Sequence, residues 1–313
     1  VASRLVQAVV VLWAAYTATF LLLYWLPGDS VTSILAGEGG STAGGSIPQS
    51  AVDALRGEYG LDKSLPAQYL FLLGKAVRLN FGTSVTLNQP VTHLILQNMS
   101  PTLTLAACAL VLAVALGTLL AFFATYVQHP WLRTFLSRLP AAGVALPGFF
   151  VGLLLVQVFA FDLKLFPASG SGTFSQLVLP ALTMAMPTTA LVAQVLIKGM
   201  DSVLREPYVT TARAKGLSDL RVHAVHVFKN ASLPALTLVG MLVGATVTGA
   251  IVTETVFSRQ GIGQLVQRAV ANQDIPLVQG IVVFSAGAFV LVNLLIDLFY
   301  PLLDPRLRRE GSL

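Results

Sequence analysis

Apolar positions gather into six long runs, at residues 5–26, 101–127, 139–160, 179–197, 233–253 and 277–299. Each approaches or exceeds the ~20 residues an α-helix needs to cross ~30 Å of hydrocarbon. The pattern predicts an all-α integral membrane protein with six transmembrane helices. The first run follows Arg4, as a secretory signal would. It is too long for a signal core and ends in Leu-Pro-Gly-Asp rather than at a small-residue cleavage site, so it reads as a retained helix.

A polar region of roughly seventy residues separates the first two runs. Residues 37–46, GEGGSTAGGS, have the composition of a flexible loop. Beyond them Leu65, Tyr69, Leu72, Leu73 and Val77 recur at helical spacing, with Pro66 at the start. The spacing predicts an amphipathic helix, either lying on the membrane or belonging to a soluble subdomain. The chain thus divides into a first transmembrane helix (1–28), an extracytoplasmic loop region (29–100), a five-helix core (101–300) and a tail (301–313). The core contains one long polar loop, 198–232.

Composition narrows the class. Of 313 residues, 55% are hydrophobic and 11% charged, and mean hydropathy is +0.77. Soluble domains carry about 25% charge, so lipid is this chain's solvent. The net charge of +5 does not indicate nucleic acid, because the basic residues are scattered over loops without interleaved aromatics. They report topology instead. With the amino terminus inside, the inner segments hold twelve Lys and Arg: Arg4, Arg133, Arg138, six in the 198–232 loop, Arg306, Arg308 and Arg309. The outer segments hold seven, Arg56, Lys63, Lys75, Arg78, Lys164, Arg259 and Arg268, four of them in the long first loop, which weighs little. Both termini and the central loop are expected in the cytoplasm, in a multi-pass membrane protein.

Several chemistries are missing. Cys108, the single cysteine, sits in an apolar run as a small packing residue, so neither a disulfide nor a thiolate metal site is available. No phosphate loop occurs, since Gly74-Lys75 lacks the upstream Gly and the following Ser or Thr. No paired carboxylates or nucleophile–base arrangement appears, and no catalytic or cofactor-binding residue is assigned. His223 and His226 are spaced to share a helix face, but further metal ligands are absent nearby, which favours a lipid or partner interface. His93 and His129 stand alone in loops.

Inside the runs only Asp297 is ionisable, near the inner end of the last one, and Glu254 marks the outer end of the fifth. Ion-coupled carriers place such groups mid-helix. Pro147, Pro180 and Pro187 are positioned to kink the third and fourth helices and free carbonyls. Gln157, Thr183, Thr188, Thr189, Gln194, Thr246 and Thr248 are candidates to line a translocation path, or equally to join helices.

The central loop, KGMDSVLREPYVTTARAKGLSDLRVHAVHVFKNASLP, carries the densest signals. Lys198, Arg205, Arg213, Lys215, Arg221 and Lys229 outnumber Asp201, Glu206 and Asp219. Pro207 suits a first helical position and Gly216 the residue just past a helix end, predicting a short helix over 208–215. Ser218 then caps a second helix through His226 toward Asn230.

This loop resembles the EAA loop of ABC-importer permeases, in which a Glu-Ala-Ala-like triplet precedes a Gly and an apolar-x-Leu-Pro follows. Aligned on Gly216, the triplet falls on Thr210, Thr211 and Ala212, and the ending on Ala231, Ser232, Leu233 and Pro234. The Glu is absent and the second interval is long, as in the dipeptide/oligopeptide/nickel branch. The likeness spans nearly the whole chain. It includes LPGD at 26–29, the 59–84 segment, Pro101-Thr102-Leu103, the stretch from Glu254 to Gly280, and the closing Leu-Asp-Pro-Arg. Arg259-Gln260-Gly261 stands where that family usually has Trp-Pro-Gly.

The resemblance implies the ABC importer type I permease fold. It also implies a heterodimer with a second homologous permease, two ABC ATPase subunits that bind ATP and Mg, and an extracytoplasmic substrate-binding protein. Arg205, Glu206, Tyr208, Thr210, Thr211, Ala212, Arg213, Lys215 and Gly216 would meet the ATPase, whose closure would rock the helices. The cargo would be a di- or oligopeptide, or alternatively nickel, a metallophore, haem or glutathione. An ion-coupled secondary transporter and a non-transporting scaffold are the readings from other classes.

Overall fold

The computed structural model describes residues 2–25 and 63–303. In chain order its helices are α1 (Ala2–Trp25), α2 (Leu65–Val77), α3 (Val91–Tyr126), α4 (Pro130–Ala145) and α5 (Gly148–Leu155), which runs on as a π-helix over Val156–Asp162. Then come α6 (Ser175–Val203), α7 (Pro207–Ala214) and α8 (Asp219–Arg221), the last joined by a π-helical Val222–Val227 to α9 (Phe228–Val256). The series closes with α10 (Ile262–Ala271) and α11 (Ile275–Leu303). The Leu-Pro-Gly-Asp motif, the Gly/Ser patch, the closing Leu-Asp-Pro-Arg and the side chain of Asp297 lie outside the described residues.

Four of the described helices are long and apolar enough to cross a membrane, α3, α6, the α8–α9 helix and α11, and α1 contributes the shorter apolar stretch Val6–Leu22. The third predicted span departs from a straight helix. Pro130–Ala145 and Gly148–Asp162 meet at 105°, a broken span or a re-entrant loop. The break falls at Leu146-Pro147, where the proline holds Leu146 extended (φ −91°, ψ 130°) and out of the helical region. Pro180 and Pro187, by contrast, sit inside an uninterrupted α6. The second span also begins earlier than its apolar run, because α3 starts at Val91 and carries Pro101 in its interior.

The described residues form two compact units. One comprises Val1–Ser100 and Gln260–Leu291. In it α2 docks on α1, with Tyr69, Leu72 and Leu73 packed around Tyr16, Phe20 and Ala76. The Thr17 hydroxyl and the Tyr69 phenol are 2.8 Å apart. The other edge of α2 leaves Leu65, Leu70 and Val77 exposed, the apolar face that a helix resting on lipid needs. Behind it, Val91, Leu94 and Ile95 of α3 pack with Ile262, Leu265 and Ala269 of α10 and Leu277 and Ile281 of α11. Asp274, fully buried, ties these elements together. Its carboxylate accepts from the Ser84 hydroxyl (2.6 Å), the Thr86 hydroxyl (2.7 Å) and the Thr86 N–H (3.1 Å). It also accepts from the Leu277 N–H at 3.2 Å, capping α11.

The second unit comprises Pro101–Arg259 and Val292–Leu313, and α6 packs against α4, α5 and α9 within it. A Cβ on Gly117 would come within 3.0 Å of the Thr189 carbonyl, and one on Gly199 within 3.1 Å of the Ala231 carbonyl. Glycine at these two points lets neighbouring helices approach closely, as lipid-immersed helices require. At one end of the unit, Ala121 and Ala124 of α3 form a core with Leu196, Ile197 and Met200 of α6, and Val209, Val222, Val227 and Ala231 join it from the loop and α9. The polar loop is therefore a packed element, seated on the ends of spanning helices.

Candidate functional site: the α7 loop

Pro207 opens α7 at a position whose N–H would have no partner, after an extended Glu206 (φ −72°, ψ 141°). The helix closes in a Schellman motif. The Leu217 N–H bonds the Ala212 carbonyl at 3.4 Å and the Gly216 N–H bonds the Arg213 carbonyl at 2.9 Å. Gly216 occupies the left-handed position, φ +82°. Leu217 then packs against the core that contains Ala212. Prediction and structure agree on this helix to within one residue.

The eight residues of α7 have two faces. Val209 and Ala212, three apart, are buried and anchor the helix. Burying the Val209 side chain contributes about 1.5–3 kcal/mol. Tyr208, Thr210, Thr211, Arg213 and Lys215, with Arg205, Glu206 and Gly216 around the ends, are exposed. Of the nine residues expected to meet a partner, only Ala212 thus turns inward. The Asn230 amide donates to the Tyr208 phenol at 3.0 Å and to the His226 carbonyl at 2.8 Å, fixing Tyr208 at the base of α9. Arg213 Nε donates to Asp219 at 3.1 Å and links α7 to α8.

His223 is the clearest departure from sequence reasoning. It is 3% exposed, with Nε2 2.9 Å from the Thr125 hydroxyl and its ring edge-on to Phe122 and Tyr126. It does not face lipid or a partner, as sequence reasoning expected; it holds the loop to the end of α3. The π-helical turn over Val222–Val227 shifts the side-chain register there, so the His223 and His226 spacing misleads. Burial lowers the pKa of His223 first, and Arg213 lowers it further. Residues 98 positions apart make this contact, and no local pattern reveals it.

Beside His223 an open cavity of about 420 Å³ is lined by Thr125, Tyr126, Gln128, Arg133, Asp201, Leu204, Arg205, Arg213 and Asp219. Arg133 Nη2 pairs with Asp201 at 2.9 Å across α4 and α6. Arg133 entered the sequence reading only through its charge.

Four of the candidate path residues bond locally. The hydroxyls of Thr183, Thr246 and Thr248 donate to the carbonyls of Leu179, Leu242 and Gly244 on their own helices. Gln157 is exposed and donates to Asp162 at 3.1 Å. Thr188 and Gln194 are half-buried on α6, and none of the six lines the apolar cleft of about 640 Å³ between α3 and Val239. Glu254 and Arg259 are both buried, and the Arg259 N–H bonds the Glu254 carbonyl at 2.8 Å.

Comparisons with known proteins bear on this geometry. Residues 113–309 match the family model described as the binding-protein-dependent transport system inner membrane component. A probable peptide ABC transporter permease protein of Sinorhizobium fredii is 34% identical over 97% of each chain. A putative peptide permease protein of Brucella suis is 35% identical over 97% of each. The glutathione transport system permease protein of Pectobacterium atrosepticum is 31% identical over 98% of this chain and 97% of its own. The crystal structure of an amino acid ABC transporter with histidines superposes with a TM-score of 0.52 at 16% identity, covering 69% of this chain and 94% of that one.

Proposed function

The chain belongs to the family of inner membrane components of binding-protein-dependent transport systems, and from that premise we propose that its cargo is a di- or oligopeptide. It is a multi-pass permease of an ABC importer. The carrying observation for the cargo is full-length similarity, at 34% and 35% identity, to proteins named as peptide permeases. Glutathione is the second reading, favoured by the Pectobacterium relative; it is itself a small peptide.

In this reading the subunit is a non-catalytic conduit that holds no cofactor. It pairs with a second, homologous permease, takes substrate from a binding protein and is driven by two ATPases that bind ATP and Mg. Both termini and α7 face the cytoplasm. The outward set Arg205, Glu206, Tyr208, Thr210, Thr211, Arg213, Lys215 and Gly216 touches an ATPase, with Ala212 anchoring the helix beneath them. Guanidinium and ammonium groups there meet carboxylates or carbonyls of the partner. Because α7 is bonded to α9 through Tyr208–Asn230, and the π-helical turn leading into α9 is bonded to α3 through His223–Thr125, a push on α7 is passed to two spanning helices. Gln157, Thr183, Thr188, Gln194, Thr246 and Thr248 line the path only in a conformation that turns them to a common face.

The test is affinity isolation of the tagged chain from its native membrane, beside the variant with Arg213→Glu and Lys215→Glu. Wild type should bring down a second permease, two ATPases and a binding protein that binds peptides. The charge-reversed pair should lose the ATPases and keep the second permease. Isolation of the wild-type chain alone, with solute uptake in liposomes lacking any ATPase, would establish a secondary carrier instead.

A further inference from the structure

The open cavity beside His223 is lined from the ends of two spanning helices and the start of a broken one: Thr125 and Gln128 at the end of α3, Asp201 and Arg205 at the end of α6, and Arg133 at the start of α4. Arg213 and Asp219 close it from the loop. Three guanidiniums against two carboxylates leave a positive excess. Each ion pair is slender: Arg133 reaches Asp201 through Nη2 alone, and Arg213 reaches Asp219 through Nε alone. A guanidinium carries five N–H donors, so each retains donors for a ligand, and Arg205 has no ion pair among the described residues.

A second observation sets the depth of this cavity in the bilayer. One turn into α4, Trp131 and Phe135 are 71% and 51% exposed and stack on each other at 5.9 Å. Exposed Trp on a spanning segment marks the level where hydrocarbon meets headgroups. Arg133 lies between these two in sequence, two positions from each, and so leaves α4 on the side facing Asp201 rather than with the aromatics. An exposed Trp131 at that level would put the basic cavity at headgroup height, with the stacked aromatic pair turned to acyl chains. Basic pockets between helix ends on the cytoplasmic side are where phosphate headgroups of anionic lipids bind.

We infer that this cavity holds the phosphodiester headgroup of an anionic phospholipid of the cytoplasmic leaflet, through Arg133 and through the donors of Arg205 and Arg213 that the ATPase contact leaves free, with the acyl chains against Trp131 and Phe135. The site rests on the orientation proposed above, with α7 in the cytoplasm. Asp201 competes with the phosphate for Arg133 and weakens the site. Because Arg213 also tethers α7 to α8, lipid occupancy bears on the element that meets the ATPase.

The experiment takes the intact transporter, purified from mixed phosphatidylglycerol and phosphatidylcholine nanodiscs, and counts retained lipids by native mass spectrometry. Wild type should retain phosphatidylglycerol in preference to phosphatidylcholine. Arg133→Gln should lower that retention by roughly fivefold and Arg133→Lys by less, since Lys keeps the charge. Asp201→Asn should raise it. These opposite signs are the decisive feature, because both variants break the same ion pair and a merely structural role would move them together. Unchanged phosphatidylglycerol retention in Arg133→Gln, or a fall in Asp201→Asn, overturns the site. So does binding of inorganic phosphate alone with no lipid preference, which would make it a soluble-anion site. If Arg133→Gln sheds the ATPases while keeping its lipid, the cavity receives a protein carboxylate and the lipid assignment is again wrong. ATPase recovery and the labelling of Ser218→Cys report on the proposed function and orientation separately, so failure of either reading is visible by itself.

Discussion

His223 shows how one side chain joins a polar loop to a membrane helix. The Thr125 hydroxyl is 2.9 Å from the Ala121 carbonyl as well as from His223 Nε2. The hydroxyl has one proton for the two contacts; where the carbonyl takes it, neutral His223 donates from Nε2. Burial depresses its pKa below 6.5, the Arg213 and Arg133 charges add to the effect, and Asp219 and Asp201 oppose it. A base held neutral in the fold binds fewer protons than in the unfolded chain. Its stabilisation is complete above 6.5 and is lost as pH falls through the window between 6.5 and the depressed folded value. The loop of the wild type should therefore loosen as pH falls below 6.5, read as faster amide exchange over 208–227. His223→Gln keeps a donor for Thr125 but does not titrate, and its exchange should change less over that range. Parallel pH profiles in the two proteins would show that His223 does not set the loop's acid sensitivity.

At the level of the element, α7 was legible and its surroundings were not. Pro207 and Gly216 bracket the helix because each has a backbone property no neighbour can supply, and such properties act locally. The left-handed Gly216 has nothing within 4 Å of where a Cβ would stand, so any substitution cost there is backbone alone. A non-glycine residue in that region costs about 1–3 kcal/mol, with Asn at the low end and a β-branched residue at the high end. Gly216→Val should spoil the Schellman closure and uncouple ATP hydrolysis from uptake, whereas Gly216→Asn should stay near wild type. Equal uptake by both variants would remove the turn from the mechanism. The bend at Leu146-Pro147 was foreshadowed by the proline, but its 105° angle was not. Composition reports that a helix is interrupted, and packing decides where the chain goes next. The early start of α3 at Val91 escaped notice for a related reason. Residues 91–100, VTHLILQNMS, are too polar to read as membrane, yet Val91, Leu94 and Ile95 pack on α10 and α11.

For the whole molecule, the proposed orientation rests on where the basic residues lie, and it decides which face would meet the ATPases. Twelve Lys and Arg on one side against seven on the other are the ground for proposing that the loop of α7 lies inside. The geometry makes a direct test practical, because suitable positions are exposed and Cys108 is the only native thiol. Cys108 packs half-buried beside Leu105 and Ala109, so Cys108→Ala should give a folded, thiol-free background. In that background Thr173→Cys, exposed between the π-helical turn and α6, should react with a membrane-impermeant maleimide in spheroplasts. Ser218→Cys, exposed just after Gly216, should react only once the membrane is opened. The reverse pattern would place α7 outside, beyond the reach of any cytoplasmic ATPase. That result would leave the family and the fold standing and remove the coupling role of Arg213 and Lys215. It would also move the arginine cavity to the outer leaflet, where its lipid would have to be sought.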